Sequence, residues 1–278
     1  MALHEHTVLI CPKNDEESLM ILKLAHAAGI PTIEITQPHG ARFEKETDII
    51  PRIMETDPDA QTLVVVELPG PRMEELLEGV GYKVVIIDHH RYDDVDRMQE
   101  KSSLEQFRDY FGIDDTQVAA LGFNPRMVEA VGVIDRGFVW ELKREGFIGE
   151  DFQEALKFYR LLTLELGEKR RLKEEALAQE AWEEKREQNG VLIVKTEDDF
   201  GSIRDAVSFL VAAAYPEHPP QTVVIQGTRR MYVQESPHAK ELHDRFGGFT
   251  FGKDECWGIL KDDGNLPLLD EVLHVIVK

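Results

Sequence analysis

From residue 7 onward, short runs of β-branched and aliphatic residues alternate with stretches of helical period. Thr7–Cys11 (TVLIC), Thr32–Ile35, Thr62–Glu67 and Lys83–Ile87 are such runs, each bounded by Gly or Pro. Between the first two, Leu19, Leu22, Leu24 and Ala25 recur at helical spacing within Glu17–Ala28. Strands apolar on both faces and separated by helices predict a parallel sheet covered on two sides. Residues 116–134 add a helix and one more short apolar run ending at Asp135.

Near residue 151 the pattern changes. Residues 151–188 hold almost no turn formers and are dense in Glu, Lys, Leu, Ala and Gln. They predict a connecting helix over 151–189, with a break at Gly167 and a stop at Asn189-Gly190. Leu172, Ala176 and Trp182 leave only a thin apolar stripe on its charged second half, as in a solvated connector; a homodimeric coil is the alternative. The alternation then restarts. Val191–Lys195, Thr222–Ile225, Met231–Val233, Cys256–Leu260 and Val272–Val277 read as strands, Ala206–Ala214 and Pro237–Arg245 as helices, and Gln226-Gly227-Thr228 as a hairpin turn. The fold class is α/β: a mainly parallel domain over 1–150, the connecting helix, and a smaller α/β domain over 190–278.

Charge narrows the function classes. The net charge of −21 repels a long polyanion, whose binding depends on a basic surface that releases counterions. It favours a small phosphorylated substrate over long nucleic acid, and makes a bound cation a natural local reverser of the field. No apolar run is long enough for a bilayer span, so no membrane partner is expected. The start, Met-Ala-Leu-His-Glu-His, lacks a basic, then apolar leader, and a cytoplasmic location is the expectation. Two cysteines, Cys11 and Cys256, are too few for a disulfide framework.

In an open parallel sheet, ligands bind at the carboxyl ends of the strands. Those ends deliver Cys11, then Asp15 and Glu17; Glu67; Asp88, His89 and His90; and Asp135. Gathered carboxylates repel one another unless cations neutralise them. Mixed oxygen and imidazole donors suit Mn²⁺ or Mg²⁺, and a metal pair would clamp a phosphate. Taken alone, Asp15 or Glu17 is as well explained as the acidic start of a helix.

The stretch VVIIDHH at 84–90 resembles the Asp-His-His signature of the DHH phosphoesterase superfamily, of the RecJ and oligoribonuclease type with a C-terminal DHH-associated domain. Cys11-Pro12-Lys13-Asn14-Asp15-Glu16-Glu17 stands where that family has a His followed by Asp-x-Asp. Glu67 in VVVELPGP stands for a lone Asp, and Asp135 in Gly132-Val133-Ile134-Asp135-Arg136-Gly137 for the Asp of Gly-x-x-Asp-Thr-Gly. Phe246-Gly247-Gly248-Phe249 stands for a Gly-Gly-Gly-His loop. The resemblance implies a two-metal phosphoesterase working in the cleft between two domains on a short oligonucleotide, dinucleotide or nucleotide bisphosphate.

Carried over by position, the resemblance places Cys11, Asp15 and Glu67 at one ion. It places Glu17, Glu67, His89 and Asp135 at the other. Mn²⁺ is the expected metal, with Mg²⁺, Zn²⁺ or Fe²⁺ as alternatives because a thiolate is soft. Asp88 would orient its neighbours, and His90 would contact the phosphate or protonate the leaving group. Arg136 would reach a phosphate or neutralise the acids. Arg229 or Arg230 would contact substrate, and Gly247-Gly248 would let backbone approach it, unless they merely cap a helix. Cys11 stands in place of the family's His, and Glu17 and Glu67 each stand in place of an Asp. A non-catalytic relative that binds a nucleotide or protein partner is therefore the competing reading.

Overall fold

The computed structural model describes residues 5–92, 94–215 and 217–277. These form two compact units. The first takes in Met1–Arg136 and Lys157–Leu166, the second Gly137–Leu156 and Gly167–Lys278.

The first unit is built on four parallel strands, β1 (Thr7–Pro12), β2 (Thr32–Ile35), β3 (Thr62–Val66) and β4 (Lys83–Ile87), in the order β2-β1-β3-β4. Alternate β1 side chains enter opposite cores. Val8 and Ile10 pack with Ile33, Phe43, Ile53 and Leu77, whereas Leu9 and Cys11 pack with Leu22, Val64, Phe107 and Val131. Burial on both faces explains the lack of a polar face in the sequence. The covering helices include α1 (Glu16–Ala27), α2 (Ile49–Thr56), α3 (Pro71–Gly79), α4 (Ser103–Phe111), α5 (Asp115–Ala120) and α6 (Pro125–Gly137). From β1 the chain crosses to β2 on one side, and β3 lies on the other. This reversal opens a crevice at the carboxyl ends of β1 and β3.

Three expectations are corrected. The run before Asp135 is part of helix α6, so the acid comes from a helix. Gly132 gives the reason for misreading it: a Cβ there would lie 2.6 Å from Ser102 Oγ, so a residue of poor helix propensity is retained to let α6 approach the start of α4. After the short helix α7 (Glu141–Arg144), the long helix α8 (Gly149–Glu183) does break at Gly167, but it ends before Asn189-Gly190. Those two residues turn a hairpin between β5 (Arg186–Gln188) and β6 (Val191–Thr196). Val272–Val277 is not a strand, because Leu269, Val272, Leu273 and Ile276 lie at helical spacing in α11 (Leu269–Ile276). Glu271 supports that start by accepting the Leu268 amide at 3.1 Å.

The second unit carries a mixed six-stranded sheet, ordered β5-β6-β7-β8-β10-β9, with β7 Thr222–Gln226, β8 Arg230–Gln234, β9 Phe249–Phe251 and β10 Cys256–Leu260. β6 and β7 pair in parallel and the other neighbours antiparallel. Val191, Val223, Val233, Trp257, Val272 and Ile276 fill its core. Helices α9 (Arg204–Ala214), α10 (Ala239–Phe246) and α11 complete the unit. No helix among the described residues is long and apolar enough to cross a membrane.

Candidate metal centre

Glu17, Glu67, His89 and Asp135 converge at the sheet edge of the first unit. His89 Nε2 is the hub: it lies 2.7 Å from Asp135 Oδ2, 3.4 Å from Glu67 Oε1 and 3.7 Å from Glu17 Oε2. All four atoms are buried, with the three oxygens within ion-pair distance of the hub, yet none makes a well-directed hydrogen bond. Buried polar atoms without partners are rare, and one reason for them is an ion. Here four donors of the type that binds divalent cations face one another, so the residues present fit a metal.

Local folding sets each arm. Glu17 occupies the first turn of α1, and its Oε1 accepts the Leu104 amide at 2.9 Å, one of the N–H groups that the start of α4 leaves open. That bond leaves Oε2 aimed at His89. Glu67 directly follows β3 with φ at 43°, a left-handed conformation that non-glycine residues adopt rarely and at a cost. His89 is two residues beyond β4, and α6 brings up Asp135.

Asp88 is 1% exposed and organises the turn. Its Oδ1 accepts the His90 backbone amide at 2.9 Å and the Tyr92 hydroxyl at 3.3 Å, and His90 Nδ1 is 3.2 Å away. Its main-chain carbonyl accepts from Gln99 Nε2 and Gln106 Nε2 at 2.8 and 3.1 Å. His90 Nδ1 also lies 3.6 Å from Glu67 Oε1, so His90 borders the centre.

The electrostatics are those of acids crowded out of water. Burial, then the charges of Asp135 and Glu67, pushes the Glu17 carboxyl well up. Burial, then Glu67 and Asp135, raises Asp15 to about 8. Burial also works to raise Glu67, but its interaction with His89 and the charges of both histidines overcome it and hold Glu67 at about 2. Burial opposes a charge on His89, and Asp135 and Glu67 outweigh it, raising the imidazole to about 12. His90 is lifted to about 9 in the same way, against burial, by Asp88 and Glu67.

The remaining expected site residues contribute no atom to this four-atom cluster, although Cys11 and Asp15 lie near enough to feel its charges. Asp15 is the N-cap of α1, its Oδ1 accepting the Ser18 amide at 2.8 Å while Ser18 Oγ accepts the Asp15 amide. Cys11 is fully buried, with Sγ 3.5 Å from the Pro12 carbonyl and 3.8 Å from that of Ser18. Burial, then Asp15 and Glu67, pushes its thiol well up. Arg136 is paired with Glu105, Nε to Oε2 at 3.2 Å.

In the second unit Arg230 Nη1 donates to the Asp199 carbonyl at 2.8 Å, and Arg229 Nε lies 3.6 Å from Asp199 Oδ2. Gly247 caps α10 and accepts from Trp257 Nε1 at 2.8 Å. Gly248 has φ of 92°, and a Cβ on it would stand 2.3 Å from the Gly258 carbonyl oxygen. Both glycines thus have structural work in this unit. Sequence reasoning missed the start of α4 as a support for Glu17, although Ser102-Ser103-Leu104-Glu105 is a readable capping box. It also missed Tyr92, Gln99 and Gln106, which no short motif announces.

Fold and centre together define an α/β protein with a buried acid–imidazole cluster at the carboxyl edge of a parallel sheet. Among solved structures, the chain is similar to exonuclease RecJ bound to manganese, with a TM-score of 0.41, 14% identity, and 92% of this chain and 86% of that chain covered. It is also similar to PggH, a pGpG-specific phosphodiesterase from Vibrio cholerae, with a TM-score of 0.43, 12% identity, and 98% and 97% covered. An uncharacterized protein from Helicobacter pylori G27 gives a TM-score of 0.35 at 8% identity, with 97% and 98% covered. No protein-family model matches the chain, and neither does any curated protein.

Proposed function

We propose that the chain is a divalent-metal-dependent hydrolase of a small phosphorylated substrate: a short oligonucleotide, a dinucleotide or a nucleotide bisphosphate. The observation that carries this reading is the convergence of Glu17 Oε2, Glu67 Oε1, His89 Nε2 and Asp135 Oδ2, buried and unpartnered. Three carboxylates and one imidazole suit Mn²⁺, and the argument for a softer metal weakens because the Cys11 thiol is not in the set. A bound divalent ion would supply Lewis acidity toward a phosphoryl oxygen and lower the pKa of water. The Asp-His-His resemblance supports the same class, and in its two-metal form adds an ion at Cys11, Asp15 and Glu67. Asp88 holds His90 beside the cluster, placed to bind a phosphate oxygen or give a proton to the leaving group. The net charge of −21 supports a short substrate over a long one.

A second reading, a non-catalytic relative that binds a nucleotide or protein, draws support from the Arg136–Glu105 pair, which occupies one expected phosphate contact. The test is hydrolysis of dinucleotides and of 3′-phosphoadenosine phosphate, with Mn²⁺ against EDTA, in the parent chain, His89→Ala and Asp135→Asn. Mn²⁺-dependent turnover that falls by about a hundredfold or more in both variants is expected. Absence of turnover with every divalent ion, or turnover indifferent to Asp135→Asn, favours the binding reading.

A further inference from the structure

We infer that this centre is built for one divalent cation and not two, an inference that rests on the metal-dependent reading above. The family resemblance divides six side chains between two ions, and the structure treats the two sets differently. The set of Glu17, Glu67, His89 and Asp135 is assembled, with a buried, unpartnered donor atom from every member. The set of Cys11, Asp15 and Glu67 is not. Among the described residues, the ligand atoms of Glu67, His89, His90 and Asp135 all lie within 4.8 Å of one another; Glu17 stands outside that group but reaches its hub, with Oε2 3.7 Å from His89 Nε2, whereas neither Cys11 nor Asp15 belongs to the group.

Both absentees are engaged locally. Asp15 holds the first turn of α1 through a reciprocal pair of bonds with Ser18. Such a cap is worth about 1 kcal/mol to the fold, so the residue has a sufficient structural reason to be an acid. Cys11 lies in the extended β1 among Leu9, Leu22 and Val64, and its thiol is directed at the carbonyls of Pro12 and Ser18. A second ion would have to draw on Asp15 at the expense of its cap.

The experiment is Mn²⁺ binding to the chelator-treated full chain, by calorimetric titration with bound metal counted by atomic spectrometry. Electron paramagnetic resonance supplies a second readout. One Mn²⁺ per chain and the six-line spectrum of an isolated ion are expected. Asp15→Asn keeps a good cap and should leave stoichiometry and affinity unchanged, while Glu17→Gln should weaken binding by about tenfold or more. Two ions per chain with an exchange-coupled spectrum, or loss of an ion in Asp15→Asn, would overturn the inference and leave the metal-dependent reading standing. No bound ion would overturn both.

Discussion

Glu235 offers a direct test of the electrostatic reasoning, away from any metal ligand. It follows β8 in left-handed backbone with φ of 56°, and its side chain is 9% exposed, 4.0 Å from Arg144 Nη2. Burial is the largest influence on the carboxyl; Arg144 opposes it, Glu255 and Glu141 reinforce it, and the group rises from 4.5 to about 8. The folded chain therefore keeps a proton that the unfolded chain releases above pH 4.5. This contribution is fully present below that pH and is lost as pH rises through about 8. At about 1.4 kcal/mol per unit the window gives an upper bound of about 5 kcal/mol, which partial solvation reduces to about 1–3 kcal/mol. Glu235→Gln keeps the shape and cannot ionise. In scanning calorimetry with EDTA throughout, the variant should match the parent near pH 5. Near pH 8 it should melt about 3–8 °C higher. The same separation at both pH values, or a parent more stable at pH 8, would refute the reasoning.

Three further outcomes are expected. Gly248→Ala places a Cβ against the Gly258 carbonyl in backbone at φ of 92°, and should destabilise the second unit by about 2–4 kcal/mol in urea unfolding, with Mn²⁺ binding retained. Glu67→Asp puts a residue better suited to left-handed backbone on a shorter arm, so the EDTA-treated chain should gain about 0.5 kcal/mol while Mn²⁺ affinity falls about tenfold. Mn²⁺ at about a hundred times its Kd should stabilise the parent by about 2.7 kcal/mol in thermal melts; an equal shift in Asp135→Asn would remove that residue from the centre.

The parallel sheet was legible because burial on both faces leaves a signature that periodicity can read: Val8 and Ile10 enter one core, Leu9 and Cys11 the other. The carboxyl-edge rule then pointed to Glu17, Glu67, Asp88, His89 and His90, since each follows directly on a strand or opens the next helix; it pointed equally to Cys11 and Asp15, whose atoms are engaged by nearby backbone instead. Asp135 was found for a mistaken reason. Its β-branched neighbours Val133 and Ile134 look strand-like, and only the close approach of Gly132 to Ser102 shows why a helix there carries glycine. Val272–Val277 misled in the same way, because short apolar runs do not separate strand from helix until their contacts are known. Supports such as the Leu104 amide were illegible on principle, since a backbone N–H has no letter in the sequence.

The three departures from the Asp-His-His pattern that the sequence resembles are therefore unequal. Glu17 and Glu67 are each one methylene longer than the Asp they replace, and in both places the fold accommodates the extra length. At Glu17 an amide of α4 pins one oxygen and leaves the other for the centre. At Glu67 the chain leaves the strand in a left-handed turn, which redirects the longer side chain from the end of β3. Cys11 shows no matching adjustment, because it stays within extended β1 and its thiol turns to backbone carbonyls. Two substitutions fall in one ligand set and are absorbed. The third falls in the other set, whose remaining private member, Asp15, is held as a helix cap. Counting altered residues would suggest a site uniformly weakened; the side chains instead describe one converged set with unpartnered donor atoms, beside Cys11 and Asp15, whose side chains are engaged by the backbone of β1 and α1.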